Sequence, residues 1–296
     1  MLDAVAEHLG TLRRADLAAL CRPEPLPADL DTDARQLARR KRLNQRKTAL
    51  TAESSARWAN AIIGANDEQY RLARDAQYRH IIGLRAAIAT IEKRLAAPSG
   101  DTLTRAERKA RQGPVKGYST QAERFEKKRR LQRLRAELAR TEADRETGRV
   151  HVTEGTKLLA KTRHSLDAAN LTVPEWREKW ECARYRIQAN GSGDEPFGNL
   201  TITVTPAGQV SLRLPKPLEH LANAKHGRYI LSGAAQFRYR AAEWVERISG
   251  GQSVSHAIIR QPGRAGRYLT AAWATPPTEH GVAIGSPDAD VRADGP

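Results

Sequence analysis

The sequence predicts an α+β chain in which a long helical region precedes a smaller, antiparallel β-rich region. Two observations carry this reading. Ile81, Leu84, Ile88, Ile91 and Leu95 fall at i, i+3, i+7, i+10 and i+14, the seam of a long helix packed on another helix. Beyond residue 190 the period falls to two. Leu200, Ile202 and Val204 alternate, as do Val210, Leu212 and Leu214, and Pro206-Ala207-Gly208 joins them as a hairpin turn.

Taken in order, Val5, Leu9, Leu12, Leu17 and Leu20 predict one or two short helices. Pro23, Pro25 and Pro27 mark a linker. Residues 33–69 read as helical, with Trp58, Ile62 and Ile63 as buried positions. The seam helix spans 75–97. A second long helix starts near Thr120 with Leu131, Leu134 and Leu138 on one face, so the two form an antiparallel hairpin across a basic loop. Residues 156–169 read as a further helix stopped by Asn170. Thr172-x-x-Glu175 with Pro174 is a capping box that opens a helix bearing Trp176 and Trp180. Residues 228–231 and 236–239 are strand candidates, and 241–248 is a short helix. Residues 253–260 and 267–273 form a last hairpin around Gly263 and Gly266. The organisation is a helical segment and linker over 1–32, a helical lobe over 33–190, a β-rich region over 191–275, and a Pro-, Gly- and Asp-rich tail over 276–296 that reads as disordered.

The 296 residues carry a formal net charge of +16, and the cations are clustered, which points to a polyanionic partner. Arg39, Arg40, Lys41, Arg42, Arg46 and Lys47 put charge on every face of one helix, a costly arrangement unless counterions or phosphates lie close. Lys127, Lys128, Arg129, Arg130 and Arg133 lie opposite a leucine face. The loop cations Arg105, Arg108, Lys109 and Lys116 share their end of the hairpin. Tyr118 either stacks on a base or caps the loop by packing. Phe125 is a second aromatic that a plain solubilising face would not need. These sixteen residues other than Phe125 are the candidate nucleic-acid-binding set.

Other classes find no support. Cys21 and Cys182 are the only cysteines and form no CxxC, which excludes a disulfide framework or zinc ribbon on count and fits a reducing cytoplasm. No apolar run reaches the roughly 18–20 residues that span a bilayer, so no membrane partner is expected. No phosphate-loop motif and no serine or cysteine nucleophile signature occurs. The closest histidines, His220 and His226, have no arranged acid or cysteine, and the five tryptophans have the spacing of core residues. Two-metal phosphodiester cleavage needs converging carboxylates, and Asp288, Asp290 and Asp294 sit together in the tail instead.

Six pieces in order and spacing resemble the TnpB family of transposon-encoded RNA-guided DNA endonucleases, in its OrfB-type accessory-transposase branch. They are KRLNQRKTALTAESSARWANAI (41–62), GYSTQAERFEKKRRLQRL (117–134), LAKTRHSLDAANLTVPEWREKW (159–180), PFGNLTITV (196–204), LRLPKPLEHLAN (212–223) and GRYLTAAW (266–273). The likeness covers about residues 1–275. It implies that the helical region is a recognition lobe and that the β-rich region is a small wedge-type antiparallel barrel. It further implies guide RNA and DNA as partners, with protein reading shape while base pairing reads sequence. The family continues into a RuvC-like nuclease domain that holds Mg²⁺ on three acids and opens with Gly-(Val/Ile)-Asp-Leu. Gly281-Val282-Ala283-Ile284 is the similar string here, and Ala283 stands in place of the first acid. The family's opening basic strand, which completes the barrel, has no counterpart before Leu2. The expectation is therefore a truncated TnpB-like transposase that binds guide RNA and DNA, with no nuclease domain, catalytic residue or cofactor of its own. The alternatives are the guide-binding half of a split endonuclease, partnered by a separately encoded RuvC-containing chain, or a non-functional gene remnant.

Overall fold

A computed structural model describes residues 1–24, 27, 29–100, 104–106 and 116–274. The readings made for 276–296, for Gly281–Ile284, and for Arg108 and Lys109 lie outside the described residues.

Helix α1 (Leu2–Cys21) is one continuous helix that buries Val5, Leu9 and Leu17. Helix α2 (Thr32–Glu53) is capped by Asp31, whose carboxylate accepts from the Ala34 N–H at 2.7 Å. Helix α3 (Ala56–Ala96) follows after a break at Ser54 and Ser55. The sequence reading ran straight through this break. Its cause is local: Ser54 Oγ bonds back to the Leu50 carbonyl at 2.6 Å, and Ser55 Oγ accepts from the Trp58 N–H at 3.3 Å. Serine hydroxyls compete in this way with the helical ladder and favour a cap.

Helix α4 (Gln121–Thr147) returns antiparallel along α3 and ends at Gly148, which adopts the left-handed conformation at φ 79°. The pairing runs from Tyr70 with Gly148, through Arg74 with Arg145 and Glu92 with Arg135, to Ala97 with Arg124. Numbers rise on one helix as they fall on the other. Ile88, Ile91 and Leu131 are buried in the seam, flanked by Leu95, Leu134 and Leu138. The hairpin predicted from the apolar spacing is present.

The predicted helix over 156–169 is only partly formed. Helix α5 covers Lys157–Thr162, a 3-10 turn covers Asp167–Ala169, and Asn170 is left-handed. Helix α6 (Val173–Arg184) begins with the predicted capping box between Thr172 and Glu175.

The strands are β1 (Arg186–Ala189), β2 (Ile202–Val204), β3 (Gln209–Arg213), β4 (Arg228–Ala234), β5 (Ser255–Ile259) and β6 (Tyr268–Ala272), with helix α7 (Ala241–Ser249) between β4 and β5. They form two antiparallel three-stranded sheets, ordered β1-β5-β6 and β2-β3-β4. The expected barrel does not close. The strands span three to seven residues, and no ladder joins an edge of one sheet to the other among the described residues. Residues 236–239 are not a strand either. Phe237 turns inward against the Trp244 ring, with centroids 4.5 Å apart, and Arg240 is left-handed.

One hydrophobic cluster runs across the compositional boundary at 190. Val5 and Leu9 of α1 and Trp58 and Ile62 of α3 join Ile187, Ile202, Leu212 and Ile258 of the sheets, with Val254 just before β5. Trp58 Nε1 donates to the Arg213 carbonyl at 2.9 Å, which ties α3 to β3. Asn199 clasps the two sheets. Its Nδ2 donates to the carbonyls of Ala189 and Val254 at 3.1 and 3.0 Å, and its Oδ1 accepts from the N–H groups of Thr201 and Ile202. Gly198 lets the chain approach this closely. At φ 66°, a Cβ there would stand 1.9 Å from the Gln252 carbonyl oxygen.

Candidate nucleic-acid interface

Helix α2 buries only Leu50 among its described side chains, so most of it is solvated. Arg39, Arg40, Lys41 and Lys47 are exposed. None of them has an ion-pair or hydrogen-bond partner among the described residues. Arg42 is half-buried and donates to the Glu24 carbonyl at 2.8 Å.

Arg46 belongs to the interior rather than to this surface, which corrects the sequence reading. Its Nε and Nη2 form a bidentate pair with Asp16, both at 2.7 Å, and its Nη1 meets Asp67 at 2.8 Å. Asp16 is buried, and Asn66 Nδ2 donates to it at 2.8 Å. The hydrogen bond to Asp16 is the main cause that raises the guanidinium pKa further above its ordinary value. The group locks α1, α2 and α3 together, so its charge is already compensated. Sequence alone could not separate Arg46 from its neighbours, because the compensating acids come from two other helices.

The cations of α4 divide by whether they have a partner. Two are paired with the α3 end of the hairpin: Arg135 bonds Glu92 at 2.5 Å, and Arg124 donates to the Ala97 carbonyl at 2.8 Å. Lys128, Arg130, Arg133 and Arg140 are exposed, with no acidic partner among the described residues. Among the described residues, Arg129 has only an exposed i,i+3 contact with Glu126 at 3.6 Å, the kind that contributes about 0–1 kcal/mol. Arg105 and Lys116 are exposed near the same end of the hairpin.

The two aromatic residues of this end have opposite fates. Tyr118 is only 2 % exposed. Arg94 covers its ring at 4.1 Å from the centroid and Lys127 stands at 5.7 Å. Tyr118 therefore closes the base of the loop by packing, and Lys127 is half-buried beside it. Gly117 permits the fit, since a Cβ there would meet the Pro98 carbonyl oxygen at 2.2 Å. Phe125, which was not in the candidate set, is 62 % exposed. The signal that separates them was available: Phe125 lies off the Leu131–Leu134–Leu138 stripe of a clear amphipathic helix.

Elsewhere, a cavity of about 470 Å³ opens between α1, α3, residues 152–156 and β1. It is away from the α4 cations, and the Arg13–Glu154 ion pair lies in its wall. Trp176 and Trp180 stack at 5.7 Å rather than entering the main core, with Trp176 Nε1 donating to the Leu159 carbonyl. Among the described residues, no group of three or more His, Cys, Asp or Glu is placed to hold a metal ion, and no helix is long and apolar enough to cross a membrane.

Comparison of the chain with family models, curated proteins and solved structures returned no match.

Proposed function

We propose that this chain binds nucleic acid along the outward face of α4 and the exposed part of α2, as a TnpB-like transposon protein whose helical lobe holds a guide RNA and DNA. The observation that carries the binding reading is the division of the α4 cations. Arg124 and Arg135 have partners, whereas Lys128, Arg130, Arg133 and Arg140 are exposed on a 27-residue helix with no partner among the described residues. Like charges one turn apart repel, and phosphates relieve that repulsion while releasing condensed counterions. The basic surface of α2, with Arg39, Arg40, Lys41 and Lys47, adds a second stretch of the same chemistry.

The family reading rests on the six sequence pieces. Both readings are tested by purifying the chain at moderate salt and sequencing the RNA that accompanies it. A discrete enriched RNA supports a guide-binding role. Recovery of a random RNA sample supports binding without the family role. Recovery of none, together with no affinity for added RNA or DNA, contradicts both.

A further inference from the structure

We infer that Phe125 is a stacking platform for an unpaired base, so that the α4 face favours single-stranded over duplex nucleic acid. This rests on the binding reading above.

An exposed apolar side chain alone means little. The setting of Phe125 is what matters. On a helix, positions three and four apart share a face, and here those positions are Gln121, Ala122, Lys128 and Arg129. The same outward strip continues through Gln132, Arg133, Ala136 and Arg140, all exposed. Phe125 is thus a lone large apolar group inside a cationic strip, on the side away from Leu131. A protein partner or a lipid surface would call for further bulky apolar neighbours, which this strip lacks. A base on the ring, with its flanking phosphates at Lys128 and Arg129 one turn away, uses both kinds of group. Aromatic stacking needs a free base face, which a loop or single strand offers and a duplex interior does not. Tyr118 cannot take this role because Arg94 and Lys127 already cover its ring.

The test measures binding of a single-stranded RNA and a duplex RNA of equal length at several salt concentrations. It compares the wild type with Phe125→Ala, Phe125→Leu and Phe125→Trp. Phe125→Ala and Phe125→Leu should each weaken single-strand binding by about tenfold. They should leave duplex binding and the salt slope unchanged, because no phosphate contact is lost. Phe125→Trp should restore affinity and show fluorescence quenching beyond that of the wild type. Equal losses on both RNAs, no loss on either, or full retention by Phe125→Leu would overturn the inference while leaving the binding reading intact. A wild type that binds neither RNA would overturn both.

Discussion

The Trp244 indole N–H donates to His256 Nε2 at 3.4 Å, while His256 Nδ1 lies 3.1 Å from the Ile202 carbonyl oxygen. An indole nitrogen only donates and a carbonyl only accepts. His256 must therefore be neutral, with its proton on Nδ1. This fully buried imidazole links α7, β5 and β2, and so joins the two sheets close to the Asn199 clasp, which also bonds Ile202.

Burial lowers the His256 pKa to about 4, whereas an unfolded histidine titrates near 6.5. Between these values the unfolded chain binds a proton that the folded chain does not. Stability is therefore fully present above about pH 6.5 and falls as the pH drops toward 4. Denaturant unfolding should give a free energy about 2 kcal/mol lower at pH 5 than at pH 7. In His256→Gln most of that difference should vanish. An unchanged pH dependence in the variant would show that His256 is not its source.

Asn199 uses both amide hydrogens and both oxygen lone pairs, on partners from either sheet. Asn199→Asp keeps the size but removes two donors and adds a buried charge. The expected loss is about 2–4 kcal/mol, read as a lower denaturant midpoint. A variant within about 0.5 kcal/mol of wild type would mean that the clasp does not hold the sheets together.

Arg46 and Arg40 sit on the same helix, α2, yet should behave differently. Arg46→Ala strands Asp16 in the interior, and breaking such a pair costs about 3–5 kcal/mol. Arg40→Ala should leave the melting temperature unchanged and lower only nucleic-acid affinity. Equal thermal effects from the two substitutions would contradict the assignment of Arg46 to the core.

Tyr118→Ala should loosen the end of the α3–α4 hairpin, seen as faster amide exchange in the first turns of α4, while Tyr118→Phe keeps the ring under Arg94 and should exchange like wild type. If Tyr118→Ala exchanges normally and loses affinity for single-stranded RNA, the ring contacts RNA instead.

Features set by near neighbours in sequence were legible. The α3 seam needed only Ile81 to Leu95. The α6 capping box needed Thr172 and Glu175, and the β2–β3 turn needed Pro206 to Gly208. What sequence did not show depends on distant partners or on small backbone competitions. Ser54 and Ser55 break a helix by hydroxyl bonding that the apolar period does not register. Strand β1 has only four residues and takes its register from β5, about seventy residues later. The open sheets follow from strand pairing that residue alternation cannot specify. In the candidate interface, the cation clusters were legible as composition. Which cations are spent was not, since Asp16, Asp67 and Glu92 arrive from other helices.

The most direct measurement is the salt dependence of RNA binding by wild type and by a variant with Lys128, Arg130 and Arg133 replaced by alanine. Each phosphate contact on a single strand contributes about 0.7 to the slope of log affinity against log salt. The variant should bind more weakly, with a slope shallower by up to about 2 and an unchanged circular dichroism spectrum. A folded variant with wild-type affinity and slope would remove the outward face of α4 from the interface.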